Sequence, residues 1–324
     1  MASIIKTEKL KKTYGQITAV DELDLEVEKG MIFGFLGPNG AGKTTTIGML
    51  TTIIRPTSGT ATVNGYSVIN EPGKIRSSIG IVFQDFSVDT ILTGRENLDM
   101  SAQLYGIQKA QRKDRIDELL ALVELTKRAD SLVRTYSGGM KRRLELVRGL
   151  LHRPAVLFLD EPTLGLDPRS RVTIWKYIKE MAEREKTTIM LTTHYMEEAE
   201  EMCDQVAIID NGKIIKQGTP EELIDTVGGD IVYLKAKRYD EKLLRNLDFV
   251  KDIQIKDGCA TIKVENASLN LPELMRMVPD IEKVEVRSPT LSDVFLAYTG
   301  RTLKEDSGQS SWMDDAMRYT TQGR

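Results

Sequence analysis

The chain has 324 residues, 40% of them apolar and 29% charged, with a formal net charge of −3. This is enough chain for one large domain and a smaller one, and its balance is that of a globular protein rather than a disordered or fibrous one. The charge supplies no positive field to gather phosphate backbones, which argues against nucleic acid as the main partner.

The N-terminal residues, Met1 through Lys6, lack the basic region, apolar stretch and cleavage site of a signal peptide. No apolar run approaches the ~18 residues of a spanning helix, so the expectation is a protein neither exported nor embedded by itself. Two cysteines, Cys203 and Cys259, are too few and too far apart for a disulfide framework or a cysteine zinc site, and they fit a reducing cytosol.

Short apolar runs rich in β-branched residues occur at 31–36, 78–83, 155–159, 187–192 and 205–209, with helix-length segments between several of them. They predict an α/β fold with buried, mainly parallel central strands. The stretch 85–136 differs: it holds helix-like segments at 95–105 and 110–123 and no clear strand, and reads as a helical insertion. A helical subdomain is therefore expected over about 85–150 of a first domain spanning 1–226.

At Gly228-Gly229 the pattern changes to short alternating units at 231–237, 240–247, 249–256, 259–265, 271–278 and 281–287, with Asp257-Gly258 as a hairpin turn. The order β-α-β-β-α-β predicts a small α+β, ferredoxin-like module over 227–300, closed by a helix at 291–298. The remaining 301–324 is polar. Trp312, Ala316 and Tyr319 could share a helical face there, so a loosely ordered tail and a docking helix are both open readings.

Gly37-Pro38-Asn39-Gly40-Ala41-Gly42-Lys43-Thr44-Thr45 fits G-x-x-x-x-G-K-[ST] and follows the first of these strands directly. Glycines let the backbone curl until successive N–H groups and the following helix N-terminus point at an anion. Lys43 then reaches the β and γ phosphates of a nucleotide, and the Thr44 hydroxyl ligates Mg²⁺. The run at 155–159 ends in Asp160-Glu161. A carboxylate at the C-terminal end of a central strand lies where ligands bind, so Asp160 is placed to hold Mg²⁺ through water. Strand alternation turns Glu161 elsewhere, as base or orienter for an attacking water.

Many nucleotide enzymes share those two features, and Tyr136-Ser137-Gly138-Gly139-Met140-Lys141 narrows the choice. Ser137 can cap a helix running from about 140 to 151 and leave its first N–H groups free for an anion. With this stretch the chain resembles the ABC ATPase family, whose signature is Leu-Ser-Gly-Gly-Gln. Tyr136 and Met140 depart from that signature, while Ser137, Gly138 and Gly139 keep its core.

The resemblance covers about 4–225 and implies a P-loop ATPase in which two copies sandwich ATP, each presenting Ser137 to the partner's γ-phosphate. It also implies roles for further residues: Tyr14 stacks on adenine, Gln84 senses Mg²⁺ and the attacking water, Asp167 with Leu166 crosses the dimer interface, and His194 is the γ-phosphate switch. Glu161, His194, Gln84 and Lys43 form the implied catalytic set. The segment 289–296 with Thr299-Gly300 resembles export-type subunits related to the daunorubicin-resistance ATPase.

That second resemblance implies a separate integral membrane permease, docked by the helical insertion, and a peripheral place at the cytoplasmic face of the membrane. It also implies ATP-driven efflux of drugs, lipids or glycans. The alternative is a soluble ABC ATPase with a cytosolic partner. The small C-terminal domain is either specific to export or an accessory that stabilises or regulates the dimer.

Overall fold

The computed structural model describes residues 3–256 and 259–300. The expected turn at Asp257-Gly258 and the tail 301–324, with Trp312, Ala316 and Tyr319, lie outside the described residues. The chain divides into two compact units, one ending at Gln217 and the other beginning at Gly218.

The first unit opens with a hairpin of two long strands, β1 (Ser3–Tyr14) and β2 (Ile17–Glu28), paired antiparallel. In β2 the apolar Leu23, Leu25 and Val27 are buried while Asp24 and Glu26 face out, the period-two alternation of a half-solvated strand. Next come β3 (Ile32–Leu36), α1 (Lys43–Leu50), β4 (Ser58–Val63), β5 (Tyr66–Ser67), α2 (Pro72–Ser78) and β6 (Ile79–Val82). The helical segment supplies α3 (Gly94–Leu104), α4 (Lys109–Leu122) and α5 (Gly138–Leu150). The unit closes with β7 (Val156–Asp160), α6 (Pro168–Glu185), β8 (Thr188–Thr193), α7 (Met196–Met202), β9 (Gln205–Asp210) and β10 (Lys213–Gly218).

Two sheets result. The antiparallel one has the order β2-β1-β4-β5, and the six-stranded one β10-β9-β3-β8-β7-β6. In the second sheet β9, β3, β8, β7 and β6 run parallel. These five lie within one residue of the expected apolar runs. β3 and β7 are buried along their whole length, because both faces are covered, and apart from the carboxylate of Asp160 at the end of β7 their residues are apolar or glycine. The antiparallel sheet is absent from the expected strands, since alternation leaves only every second residue apolar and no continuous run to find.

One core joins the sheets: Leu10, Leu23, Leu25 and Val27 pack with Phe33 and Phe35 of β3 and with Ile47 and Met49 of α1. Each such burial contributes about 1.5–3 kcal/mol, and together they hold α1 against this core. α3 begins with a Thr93/Glu96 capping box. Buried Arg115 of α4 pairs with Glu185 at the end of α6 (2.8 Å) and donates to Leu150 O of α5 (2.7 Å), tying the helical segment to the sheet's flanking helix.

The second unit contains α8 (Pro220–Val227), β11 (Asp230–Ala236), α9 (Glu241–Arg245), β12 (Val250–Lys256), β13 (Cys259–Val264), α10 (Ala267–Met277), β14 (Ile281–Arg287) and α11 (Leu291–Thr299). Its sheet has the order β12-β13-β11-β14 with every pairing antiparallel, which is the ferredoxin-like arrangement. Val232, Leu234, Ile253 and Ile262 pack with Leu244 of α9 and Leu274 of α10.

Arg287 at the end of β14 grips Asp293 with both guanidinium nitrogens (2.5 and 2.8 Å) and donates to Tyr233 Oη (2.9 Å). Asp293 in turn accepts from Thr290 N (2.8 Å), so the Thr290-to-Asp293 stretch is a capped helix start anchored to the sheet. Burial raises the Asp293 carboxyl, but Arg287 and the Thr290 bonds outweigh it and hold it below the ordinary carboxylate range. No helix among the described residues is long and apolar enough to cross a membrane.

Candidate active site

The loop between β3 and α1 is shaped by where side chains cannot fit. A Cβ on Gly37 would stand 2.2 Å from Ile209 O, and one on Gly42 2.4 Å from Ala19 O, so β9 and β2 press against the loop from two sides. Gly42 has φ 106 and is the N-cap of α1 with no side-chain acceptor, which leaves the first N–H groups of the helix available to an anion. Asn39, Gly40 and Thr44 are exposed, Pro38 and Thr45 half-buried, and Ala41 buried. Lys43 is buried and bends back on the loop, donating to Gly37 O (2.8 Å) and Pro38 O (3.2 Å). Its ammonium also lies 3.4 Å from Glu161 Oε1.

Asp160 ends β7 as a buried carboxylate. Its Oδ1 accepts from Thr192 Oγ1 (2.6 Å) and Thr44 Oγ1 (3.3 Å). Glu161 does not continue the strand. Its φ of 48° lies in the left-handed region, which a residue with a side chain adopts at a cost of about 1–3 kcal/mol and which collects at functional sites. The backbone turn, held by Glu161 N donating to Thr192 Oγ1 (3.0 Å), aims the carboxylate at Lys43, so strand alternation is not what directs it. Its other oxygen faces His194 Nδ1 at 3.2 Å, within charge range but outside straight hydrogen-bond geometry.

Lys43, Thr44, Asp160, Glu161 and His194 thus meet at one end of the parallel sheet. Gln84 follows β6, exposed, with its carbonyl held by Arg142 Nη2 (2.6 Å). Tyr14 is exposed beside the hairpin turn, with Lys12 Nζ 5.0 Å over its ring. Ser137 caps α5, accepting from Met140 N (3.3 Å), and Ser137 and Gly138 are exposed while Gly139 is half-buried. Asp167 is the N-cap of α6, accepting from Ser170 N (3.1 Å) and Ser170 Oγ (2.6 Å), a local structural use that the sequence reading does not include.

The charges are interdependent. Burial pushes the Lys43 ammonium down against the pull of Glu161 and Asp160. For Glu161 burial acts upward, but the His194 imidazole and Lys43 charge prevail and hold the carboxyl below its ordinary value. Glu161 is therefore an anion at neutral pH, able to accept a proton from a polarised water. The hydroxyl of Thr44 and the carboxylate of Asp160, oxygens 3.3 Å apart, fit Mg²⁺, which takes few protein ligands and completes its shell with water and phosphate. Mg²⁺ there would neutralise phosphate charge.

Two contributors escape sequence reading. Thr192 bonds both acids' neighbourhood from the adjacent strand, and only the register pairing Asp160 with Thr192 brings it there. Buried Arg142, on the first turns of α5, holds the loop containing Gln84. An arginine in an otherwise amphipathic helix gives no signal of that partner.

A family described as ABC transporter matches residues 20–164, and one described as the ATP-binding protein DrrA1-3-like C-terminal domain matches 218–299. The chain is 39% identical to the daunorubicin/doxorubicin resistance ATP-binding protein DrrA of Streptomyces peucetius, over 95% of this chain and 96% of the relative. It is 44% identical to the Nod factor export ATP-binding protein I of Cupriavidus metallidurans, over 94% of this chain and all of the relative (100%). The dimeric post-hydrolysis structure of the ATP-binding cassette MJ0796 with ADP and Pi aligns with a TM-score of 0.60 at 26% identity, covering 66% of this chain and 98% of that one.

Proposed function

The chain belongs to the ATP-binding subunits of ABC transporters of the drug-resistance and export type, and from that membership we propose that it hydrolyses ATP to drive efflux through a separate membrane permease. The observation that carries the reading is the convergence of the Lys43 loop with Asp160, Glu161 and His194 in one cluster.

In the proposed cycle, ATP lies along the loop at 37–45 with adenine against Tyr14. Its γ-phosphate replaces Glu161 as the partner of Lys43. Glu161, released from that pairing, orients and deprotonates the water, His194 contacts the γ-phosphate, and Thr44 with Asp160 and Gln84 hold Mg²⁺. A second copy supplies Ser137, Gly138 and Gly139 from the N-terminus of α5, and Asp167 faces it. Placement and charge do most of the catalysis. The daunorubicin/doxorubicin resistance and Nod factor export relatives support export; a drug, lipid or glycan cargo is the proposed substrate class.

Permease docking is supported by exposed apolar side chains on and after the loop that holds Gln84. Phe83 and Phe86, then Ile91, Met100, Leu104 and Tyr105 are all exposed, Leu104 at 82%. Contact with a membrane subunit at the cytoplasmic face would cover these side chains. Affinity capture with tagged Glu161→Gln protein, ATP and Mg²⁺ from gently solubilised native membranes tests this. A polytopic membrane protein that is lost with Leu104→Asp supports the reading. Recovery of soluble partners alone supports a cytosolic ABC ATPase.

A further inference from the structure

The loop after β6 leaves the sheet with Phe83, Gln84, Asp85, Phe86 and Ser87 all exposed, yet its backbone is held at both ends by one face of α5. Arg142 donates to Phe83 O and Gln84 O, each at 2.6 Å. Glu145 accepts from Ser87 N and from Ser87 Oγ (3.0 Å), and Arg148 donates to Ser87 O (2.9 Å). Residues 142, 145 and 148 recur every third position and so share a helix face. Arg142 and Glu145 are paired at 3.2 Å and fully buried, and the Arg142 guanidinium lies 5.0 Å from the Phe86 ring centre.

We propose that Arg142 and Glu145 are positioning residues that lock the loop at 83–87 to the helix begun by Ser137, so that nucleotide contact at that helix moves Gln84 and the apolar surface around it as one body. The inference rests on the reading of Ser137 as an ATP contact. Two charged hydrogen bonds to successive carbonyls fix the peptide planes on either side of the Gln84 amide, which a single bond would leave free to rotate. The bonds lie within two turns of the Ser137 cap, inside a continuous helix. Displacement at its N-terminus therefore reaches the loop without an intervening flexible joint.

Hydrogen exchange on the full chain tests it, in the Glu161→Gln background with and without Mg²⁺ and ATP. The pair is replaced together by R142M/E145L, because an apolar pair of similar volume avoids leaving one charge buried alone. In the background chain, ATP should slow exchange by about tenfold in peptides covering both 137–148 and 84–88. In R142M/E145L the effect at 137–148 should persist and that at 84–88 disappear.

Arg142→Lys, which can reach one carbonyl at a time, should give an intermediate effect at 84–88. It also serves as the readout if the double variant does not fold. ATP protection of 84–88 that survives undiminished in these variants overturns the lock. Absence of any ATP effect at 137–148 in the background chain instead removes the reading of Ser137, and the lock with it.

Discussion

Replacing Glu161 by Gln separates two roles that the geometry assigns to one carboxylate. Glu161 is a counter-ion of Lys43 at 3.4 Å, both side chains being buried. At an effective dielectric near 20 the Coulomb term at that distance is about 5 kcal/mol, and desolvation of both groups removes most of it. Removing that charge frees Lys43 for the incoming phosphate, so E161Q should bind ATP more tightly than the parent, by up to about tenfold (about 1.4 kcal/mol).

Glutamine keeps the volume but cannot take a proton from water, and loss of a general base lowers turnover by about 10²–10⁴-fold. Titration calorimetry gives the affinity, phosphate release the rate, and size-exclusion chromatography with ATP the trapped dimer. Turnover within about threefold of the parent removes Glu161 as base, and unchanged or weaker ATP affinity contradicts the counter-ion argument.

Acid should also distinguish these two proteins. Because the Glu161 carboxyl is held below its ordinary value, its contribution to stability is complete above about pH 4.3 and fades as pH falls toward the folded-state value. The melting-temperature difference between parent and E161Q should therefore shift in favour of E161Q between about pH 6 and about pH 3.5, read by differential scanning fluorimetry. Tyr14→Ala should weaken ATP binding by about tenfold through lost stacking, with Tyr14→Phe near the parent; equal affinities would remove the adenine contact. Asp293→Asn leaves Arg287 half paired and should destabilise the second unit by about 2 kcal/mol, seen as faster exchange across β11 and β14 with ATP affinity unchanged.

Continuous apolar runs made the parallel strands legible, because a strand covered on both faces is apolar at nearly every position, as in β3 and in β7 up to Asp160. The phosphate loop and the Ser137 cap were legible for a similar reason: each is a local backbone geometry that demands particular residues in sequence. Six short units likewise gave the β-α-β-β-α-β order of the second unit.

The antiparallel sheet of the first unit, the pairing of Asp160 with Thr192, the left-handed turn that sends Glu161 to Lys43, and the grip of Arg142 on residues 83 and 84 were decided only by the tertiary structure. Apart from the local β1–β2 and β4–β5 hairpins of that sheet, each joins residues 30 or more positions apart in sequence or depends on a neighbour that such pairing brings in. Their partners are selected by sheet register and core packing, which a local pattern does not encode. The sequence by itself determined which chemical groups the protein carries and the local turns that present them. Packing determined which of those groups meet.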